Sequence, residues 1–275
     1  MSEIRKAFTS RFPEGRLLEL DFSQLEIYVL AHLSNDKQLK ADLLSGADLH
    51  GISATNLFGS GYTPKQRKIA KQLSFQLQYG AGAKSMAESN GIQLSVAKRF
   101  IEQYYDRYKG VKTWQTMTLS TVMTNREQST LRTTSGNPAG ISTLKSETGR
   151  RYTFVEQDSP DWSRGADTSF SPTQIKNYPV QGLATADIVP MILGKLYREL
   201  KSWKIPPLMV NTVHDSVLFD CTSKQQAATW ARTAKQIMEE APKYLKEIFN
   251  IDFTLPLPVE ASIGEDWYDM TPLAI

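Results

Sequence analysis

LLELDFSQLE, residues 17–26, alternates apolar residues with Glu19 and Asp21, as a strand with one buried face does. Ser23 then begins an apolar pattern of helical period that continues to about Ser34. This stretch predicts that Asp21 lies at the end of a strand, directly before a helix.

A second strand-like stretch, LMVNTVHDSVLF, occupies residues 208–219. It predicts a hairpin whose turn is formed by His214 and Asp215. A helix is expected to begin near Ser223, and a last strand is expected at residues 255–262. Together these elements indicate an α/β (α+β) fold, with a second aspartate at a strand end.

The longest helical signals lie between these two stretches. Thr63, Pro64 and Gln66 form a helix start, with an N-cap, a proline at the first position and a capping-box glutamine. A further helix is predicted over residues 94–124, with its aromatic stripe in the core. The stripe comprises Phe100, Tyr104, Tyr108, Val111 and Trp114.

Later segments give weaker signals. Residues 125–175 are rich in Thr, Ser, Gly and Asp, and predict loops with short strands. A helix is expected over residues 181–203, with a kink at Pro190.

Composition sets only broad limits. The chain has 275 residues, of which 40% are hydrophobic, and a net charge of +3, so a nucleic-acid surface would have to be local. Cys221 is the single cysteine, which excludes an internal disulfide. No apolar run is long enough for a membrane span, and the charged N-terminus does not resemble a signal peptide. An intracellular protein is expected.

The two aspartates and the helix between them indicate a chemistry. Two carboxylates can hold a pair of divalent cations, while the cations of the basic helix 63–80 can hold a triphosphate. That set predicts metal-dependent nucleotidyl transfer. Taken singly, the aspartates could be an ordinary strand-end residue and an ordinary turn residue.

These motifs resemble the family A DNA polymerases, those related to bacterial DNA polymerase I. DFSQLE at 21–26 is similar to motif A, RKIAKQLSFQLQYG at 67–80 to motif B, and VHDS at 213–216 to motif C, in the same order. Further similarity lies in DLH at 48–50, TGRR at 148–151, KNYPVQGLATADI at 176–188 and IGEDW at 263–267. The resemblance covers nearly the whole chain.

The resemblance implies a catalytic centre of Asp21 and Asp215, which would bind two Mg²⁺ ions, with Mn²⁺ as a substitute. The backbone carbonyl of Phe22 would be a further metal ligand, because Mg²⁺ favours oxygen. Lys71 is expected to act on the incoming triphosphate as a catalytic residue.

The resemblance also implies a dNTP-binding set. It consists of Gln24, Glu26, His50, Arg67, Lys71, Phe75 and Tyr79. Glu26 would exclude a ribose 2′ hydroxyl, but Ser23-x-x-Glu26 also matches a capping box. His50 could equally be a core histidine, and Arg67 and Lys71 could form a solvated face with Phe75 and Tyr79 in the core.

Four residues are implied as DNA contacts: Asn177, Gln181, His214 and Arg150. Asn177 and Gln181 would read minor-groove acceptors common to all base pairs, although helix capping or surface polarity is the alternative. His214 would contact the primer terminus, and as a nitrogen donor it is a poor ligand for Mg²⁺.

Three positions depart from the family pattern. Ser216 replaces the usual Glu of motif C, Tyr28 replaces an Arg in motif A, and Thr173 replaces a basic residue four before Asn177. These substitutions favour a phage-type member. They leave a third carboxylate missing from the expected site.

The implied domains are a palm at 1–40 with motif A, fingers at 41–170 with motif B, and palm again at 171–275 with motif C. The palm would contain an antiparallel sheet, the fingers would be helical, and the thumb would be missing. We therefore expect a split polymerase whose N-terminal partner supplies the thumb and the rest of the palm, although a partial fragment would give the same sequence.

Primer-template DNA and dNTPs are the expected ligands, in the bacterial cytoplasm of the host if the protein is from a phage. A non-catalytic DNA-binding or assembly subunit is the alternative function. A metal-dependent nuclease is less favoured, because the basic helix and Tyr79-Gly80 would have no role in hydrolysis.

Overall fold

A computed structural model describes residues 3–160 and 165–275. Residues 161–164, inside the predicted loop region 125–175, lie outside the described residues. The chain forms two compact units. The first comprises the chain up to Tyr28 together with Gly182–Ile275, and the second is Val29–Gln181.

The first unit is built on a five-stranded antiparallel sheet in the order β10-β9-β1-β8-β7. Its strands are β1 (Arg16–Phe22), β7 (Leu208–Val213), β8 (Ser216–Cys221), β9 (Val259–Gly264) and β10 (Thr271–Pro272). The predicted hairpin at 208–219 and its turn at His214-Asp215 are confirmed. The last strand begins later than predicted, at Val259.

The two faces of this sheet differ, as the alternation in β1 predicts. Leu18 and Leu20 are fully buried, and Phe219, which pairs with Leu18, packs edge-on against Trp230 of the next helix. Glu19 and Asp21 lie on the opposite face. The apolar face therefore anchors the sheet and fixes which face carries the carboxylates.

Three helices complete the first unit: α9 (Val189–Leu200), α10 (Lys224–Glu239) and α11 (Ala241–Phe249). Ser223 caps α10 as expected, accepting from the amide of Gln226 at 3.1 Å. A π-helical segment at Gly182–Ile188 leads without a break into α9, in which Pro190 is the second residue. The kink at Pro190 stays a prediction.

The second unit is mainly helical. Its helices are α2 (Lys37–Leu44), α3 (Leu49–Phe58), α4 (Pro64–Gln78), α5 (Ala83–Asn90), α6 (Leu94–Arg107), α7 (Lys109–Thr124) and α8 (Pro172–Gln181), and α1 (Leu25–Ser34) spans the boundary between the units. The capping box at Thr63 and Gln66 is confirmed. None of the helices in the described part of the chain combines the length and hydropathy required to cross a bilayer.

The single helix predicted over 94–124 is two helices, α6 and α7. The buried carboxylate of Asp36 accepts from the amides of Gly110 at 2.6 Å and Val111 at 3.3 Å, and so caps α7 from a distant part of the chain. A Cβ on Gly110 would lie 2.8 Å from Cα of Asp36, so the close approach requires glycine. The stripe is nevertheless core, since Phe100, Tyr104 and Tyr108 are buried.

The region 125–175 contains more strand than predicted. A three-stranded sheet in the order β2-β3-β4 is formed by β2 (Glu127–Arg132), β3 (Pro138–Lys145) and β4 (Arg151–Val155), and a short pair is formed by β5 (Gln157–Asp158) and β6 (Thr168–Ser169). Glu156 joins these pieces: its carboxylate accepts from the guanidinium of Arg126 at 2.7 and 2.8 Å and from the amide of Gly140 at 2.7 Å.

Candidate active site

Asp21 and Asp215 meet at one end of the five-stranded sheet. Asp21 is next to last in β1, and Asp215 lies in the turn between β7 and β8. The amide of Phe22 donates to the carbonyl of Asp215 at 3.4 Å, and the two carboxyl groups are hydrogen-bonded to each other. The structure thus brings together the two aspartates that the sequence singles out.

The contact changes how both groups titrate. Burial, followed by the negative charges of Asp215, Glu19 and Glu260, raises the pKa of Asp21 to about 7. The side chain of Asp21 is nevertheless exposed to solvent. The negative charge of Asp215 would by itself also raise the pKa of Asp21. Burial also raises the pKa of Asp215. Two carboxyl groups this close share a proton rather than both ionising.

The donor set suits a hard divalent cation. Carboxylate oxygens are the ligands that Mg²⁺ prefers, and a cation would replace the proton that relieves the repulsion between Asp21 and Asp215. In the described part of the chain, no three His, Cys, Asp or Glu side chains are arranged to hold a metal ion. The fit therefore rests on the pair, and the role of the Phe22 carbonyl stays a prediction.

Two further carboxylates, which the sequence did not indicate as functional, lie on the same face of the sheet. Glu19 precedes Asp21 by two residues, and Glu260 is the β9 partner of Asp21. Glu260 accepts from the hydroxyl of Ser23 at 2.8 Å. The signal for Glu19 was available in the β1 alternation, whereas the position of Glu260 depends on the register with β9.

Ser23 does not form the capping box that the sequence allowed. Its hydroxyl donates to Glu260, its amide donates to the carbonyl of Pro258 at 2.8 Å, and α1 begins only at Leu25. The helix start at Ser23 is therefore wrong by two residues. The alternative role of Glu26 as a cap for the Ser23 amide loses its support.

Two predicted site residues of the first unit have left-handed backbone. Gln24 has a φ of 59° and His214 a φ of 56°, and both side chains are exposed. His214 adjoins Asp215, and its charge lowers the pKa of that carboxyl, against the larger effect of burial. Non-glycine residues adopt this conformation only where the surrounding structure imposes it.

In the second unit, Arg67 lies in the first turn of α4 and pairs with Asp48, just before α3. Nη2 of Arg67 lies 2.8 Å from Oδ1 of Asp48, and Nε lies 3.2 Å from Oδ2. The hydrogen bond from Arg67 is the main cause that lowers the pKa of Asp48. Sequence reasoning included DLH at 48–50 but not this role for Asp48.

Lys71, Phe75 and His50 lie close to one another in the second unit. Nζ of Lys71 is 5.6 Å from the ring centroid of Phe75, and the His50 and Phe75 rings are 5.6 Å apart. Burial, and then the charges of Lys71 and Arg67, lower the pKa of His50. Nδ1 of His50 is buried and has no hydrogen-bond partner among the described residues.

The end of α4 packs on α8. Tyr79 caps α4, and Gly80 follows with a φ of 82°. A Cβ on Gly80 would lie 3.0 Å from Cα of Thr173, so the approach of the two segments depends on glycine. The hydroxyl of Thr173 donates to the carbonyl of Gly80 at 3.5 Å.

The predicted DNA contacts of the second unit lie on two elements. Asn177 and Gln181 are in α8, and Oδ1 of Asn177 is buried with no hydrogen-bond partner in the described part of the chain. Arg150 is exposed in the turn between β3 and β4. Neither placement tests a contact with DNA, so these roles stay predictions.

Comparison with known proteins places the chain in one family. The model of the family described as DNA polymerase family A matches residues 1–269. DNA polymerase I of Chloroflexus aurantiacus is 27% identical over 279 residues, which are 99% of this chain and 26% of that protein. The thermostable DNA polymerase I of Thermus aquaticus is 31% identical over 274 residues, or 96% of this chain and 28% of that protein.

A solved structure gives the same result. The POL domain of Pol1 from M. smegmatis, in complex with DNA primer-template and dNTP, aligns with a TM-score of 0.69 and 26% identity. The alignment covers 96% of this chain and 42% of that one. The mixed α/β fold with antiparallel sheets and helices is therefore shared with a polymerase domain. The chain spans only about a quarter of the length of the curated relatives it matches.

Proposed function

The chain belongs to DNA polymerase family A, and we propose that it carries the catalytic centre for template-directed DNA synthesis. Nucleotidyl transfer from a dNTP to a primer 3′ hydroxyl is the reaction. The observation that carries the proposal is the contact between the carboxyl groups of Asp21 and Asp215, at the positions of two family motifs.

The reaction forms one bond and breaks one bond. The primer 3′ oxygen attacks the α-phosphorus, the bond from the α-phosphorus to the bridging oxygen breaks, and pyrophosphate leaves while the hydroxyl proton passes to a base or solvent. The protein itself forms no covalent bond in this reaction. It accelerates the reaction mainly by positioning the reactants and by stabilising the charge that develops on the oxygens. Two divalent cations, when bound, supply that stabilisation and favour ionisation of the attacking hydroxyl.

Asp21 and Asp215 would hold Mg²⁺, or Mn²⁺ in its place, with the carbonyl of Phe22 as a further ligand. The hydrogen bond from the Phe22 amide to the Asp215 carbonyl keeps the two carboxylates next to each other. Asp21 is held near the end of β1 and Asp215 in the turn between β7 and β8, so little reorganisation is needed when the substrate arrives.

The cationic face of α4 would bind the triphosphate. Arg67 and Lys71 lie one turn apart, and both can make charge-assisted hydrogen bonds to phosphate oxygens. His50, whose pKa is lowered, would remain neutral beside them. Phe75 would pack against the sugar and base of the nucleotide, and Tyr79 would lie beside the nascent base pair.

Discrimination and DNA contacts are assigned to the remaining predicted residues. Glu26 would exclude a 2′ hydroxyl, and Gln24 would line the nucleotide site. The DNA contacts would be Asn177, Gln181, His214 and Arg150.

We further propose that activity requires an N-terminal partner that supplies the thumb and the remaining palm, and that the protein is a phage-type member acting in the bacterial cytoplasm. The departures at Tyr28, Thr173 and Ser216 support the phage-type assignment. Tyr28 is buried, so a charged arginine would be costly at that position.

A non-catalytic DNA-binding or assembly subunit is the second candidate. Ser216 favours it, because the usual motif C glutamate is absent. A subunit of that kind would bind primer-template without extending the primer.

Mg²⁺-dependent primer extension decides between the two. The chain is assayed alone and mixed with the candidate N-terminal partner, alongside Asp215→Asn and, as a control, Asp252→Asn, which changes an exposed carboxylate paired with Lys246. Extension by the wild-type mixture and by the control, but not by Asp215→Asn, is expected. DNA binding without extension by any mixture would support the assembly subunit.

A further inference from the structure

Glu19 lies beside the carboxylate pair on the same face of the sheet. Residues two apart in a strand share a face, and Ser216 of β8 is directly opposite Asp21. The hydroxyl of Ser216 lies 3.2 Å from Oε1 of Glu19. The side chain of Glu19 therefore extends along the sheet toward the cross-strand neighbour of Asp21.

Two buried donors hold Glu19 in this orientation. Trp267, near the end of the chain, donates from Nε1 to Oε1 of Glu19 at 3.1 Å. The hydroxyl of Ser216 shares its single proton between the same oxygen, at 3.2 Å, and the carbonyl of Val213, at 3.1 Å. Both donor residues are at least nine-tenths buried. In the described part of the chain, no donor is hydrogen-bonded to Oε2 of Glu19. One oxygen is anchored and the other is available to a further ligand.

The hydrogen bonds from Trp267 and Ser216 fix the orientation of the Glu19 side chain. Its negative charge also acts on Asp21, so the two carboxylates are near enough to be electrostatically coupled. Leu17, Leu218 and Trp267 pack together beside it, and this apolar cluster limits the screening of Glu19 by water. The arrangement places a fixed negative charge next to the aspartate pair.

We propose that Glu19 supplies the third carboxylate of the site, from β1 rather than from motif C. Ser216 occupies the usual position of that glutamate and instead holds Glu19 by a hydrogen bond. Because no three carboxylates form a direct metal-binding set among the described residues, Glu19 is a positioning residue that acts through its charge and through bound water. The inference rests on the proposed function of Asp21 and Asp215.

A merely structural role has a different consequence. As an acceptor for Trp267 and Ser216, Glu19 could be replaced by glutamine, whose amide oxygen accepts from both donors. Only the charge would be lost. Glu19→Gln therefore separates electrostatic support of a cation from support of the fold.

Binding of Mn²⁺ to the full chain, measured by electron paramagnetic resonance of the free ion, tests the proposal without any activity readout. Glu19→Gln is expected to weaken Mn²⁺ binding about fivefold, as the loss of one nearby, partly screened charge implies. Glu247→Gln, at an exposed position of α11, is the matched control and is expected to bind Mn²⁺ as the wild type does. Asp215→Asn is expected to abolish Mn²⁺ binding at the site.

An exchange of positions provides the second measurement. Glu19→Ser combined with Ser216→Glu moves the carboxylate to the other strand, and we expect it to recover most of the Mn²⁺ affinity lost by Glu19→Ser alone. Failure of the exchange to recover affinity would overturn the proposal. Unchanged binding by Glu19→Gln with loss of binding by Asp215→Asn would also overturn it, while leaving the proposed function intact; unchanged binding by both variants would contradict the proposed metal site itself.

Discussion

Asp48 accepts two hydrogen bonds from one side of the Arg67 guanidinium. Nη2 lies 2.8 Å from Oδ1, and Nε lies 3.2 Å from Oδ2. The pairing uses Nε and one hydrogen of Nη2, and the side chain of Tyr62 is a further hydrogen-bond partner of Arg67. Other N–H groups at the end of the guanidinium remain for another ligand. Both side chains are about half exposed, so the pair adds little stability. Its value lies in the orientation of Arg67 on the face of α4 that is proposed to bind the triphosphate.

Asp48→Asn is expected to raise the KM for dNTP about two- to fivefold, with little change in kcat. The amide retains one acceptor but not the charge and two-point geometry, so Arg67 loses part of its orientation. Steady-state primer extension by the chain mixed with its proposed N-terminal partner measures the effect, with Asp106→Asn as an exposed control. A lower KM would show instead that Asp48 competes with the triphosphate.

Phe75→Tyr is expected to increase incorporation of dideoxynucleotides about tenfold relative to deoxynucleotides. The added hydroxyl can supply a hydrogen bond that the missing 3′ hydroxyl of the dideoxynucleotide no longer gives, worth roughly 1–2 kcal/mol. Competition between the two nucleotide types in single-nucleotide extension measures the ratio. Efficient dideoxy termination by the wild type would contradict the role assigned to Phe75.

Glu26→Ala is expected to admit ribonucleotides more readily, because removal of the side chain opens space for a 2′ hydroxyl. Glu26→Gln, which keeps the volume, is the matched control and should retain most of the discrimination. The ratio of kcat/KM for a ribonucleotide and its deoxynucleotide is the measurement. If the ratio is unchanged in Glu26→Ala, exclusion of ribose depends on other residues.

Asp42→Ala is expected to destabilise the second unit by about 2–4 kcal/mol. The buried carboxylate accepts from Arg107 at 2.7 and 2.9 Å, from the hydroxyl of Tyr108 at 2.9 Å and from Gln38 at 2.8 Å. Its loss leaves these donors without their acceptor. Denaturant unfolding monitors the change, and Asp106→Ala, next to Arg107 but exposed, should unfold as the wild type does.

Glu156 should make stability depend on pH. The hydrogen bond from Arg126 is the main cause that lowers the pKa of Glu156 from an ordinary 4.5 to about 2. A depressed carboxyl pKa contributes stability that is complete above the unfolded-state value and is lost as pH falls from there through the folded-state value. We expect a contribution of about 2 kcal/mol at neutral pH, reduced because Arg126 is partly exposed.

The measurement for Glu156 is the free energy of unfolding of the wild type and Glu156→Gln between pH 2 and pH 7. The difference between the two proteins should be largest above about pH 4.5 and should shrink toward pH 2. A difference that is constant across this range would show that the charge of Glu156 does not contribute.

Local sequence was sufficient for elements whose signals lie within a few residues. The alternation in β1, the turn at His214-Asp215 and the capping box at Thr63 each depend on neighbours in sequence, and each is confirmed. The break in the helix predicted over 94–124 could not be read in that way. It depends on Asp36, which caps α7 across 74 residues of chain.

The sequence by itself determined the family motifs, their order and the strand-end positions of Asp21 and Asp215, because motif chemistry and hydrophobic period are local properties. Only the tertiary structure decided which other groups join them. Register across antiparallel strands brings Ser216 opposite Asp21, and the fold of the chain end brings Trp267 onto Glu19, 248 residues away. No local pattern encodes such pairings, because they arise only when distant strands pair and the buried face of the sheet fixes their register.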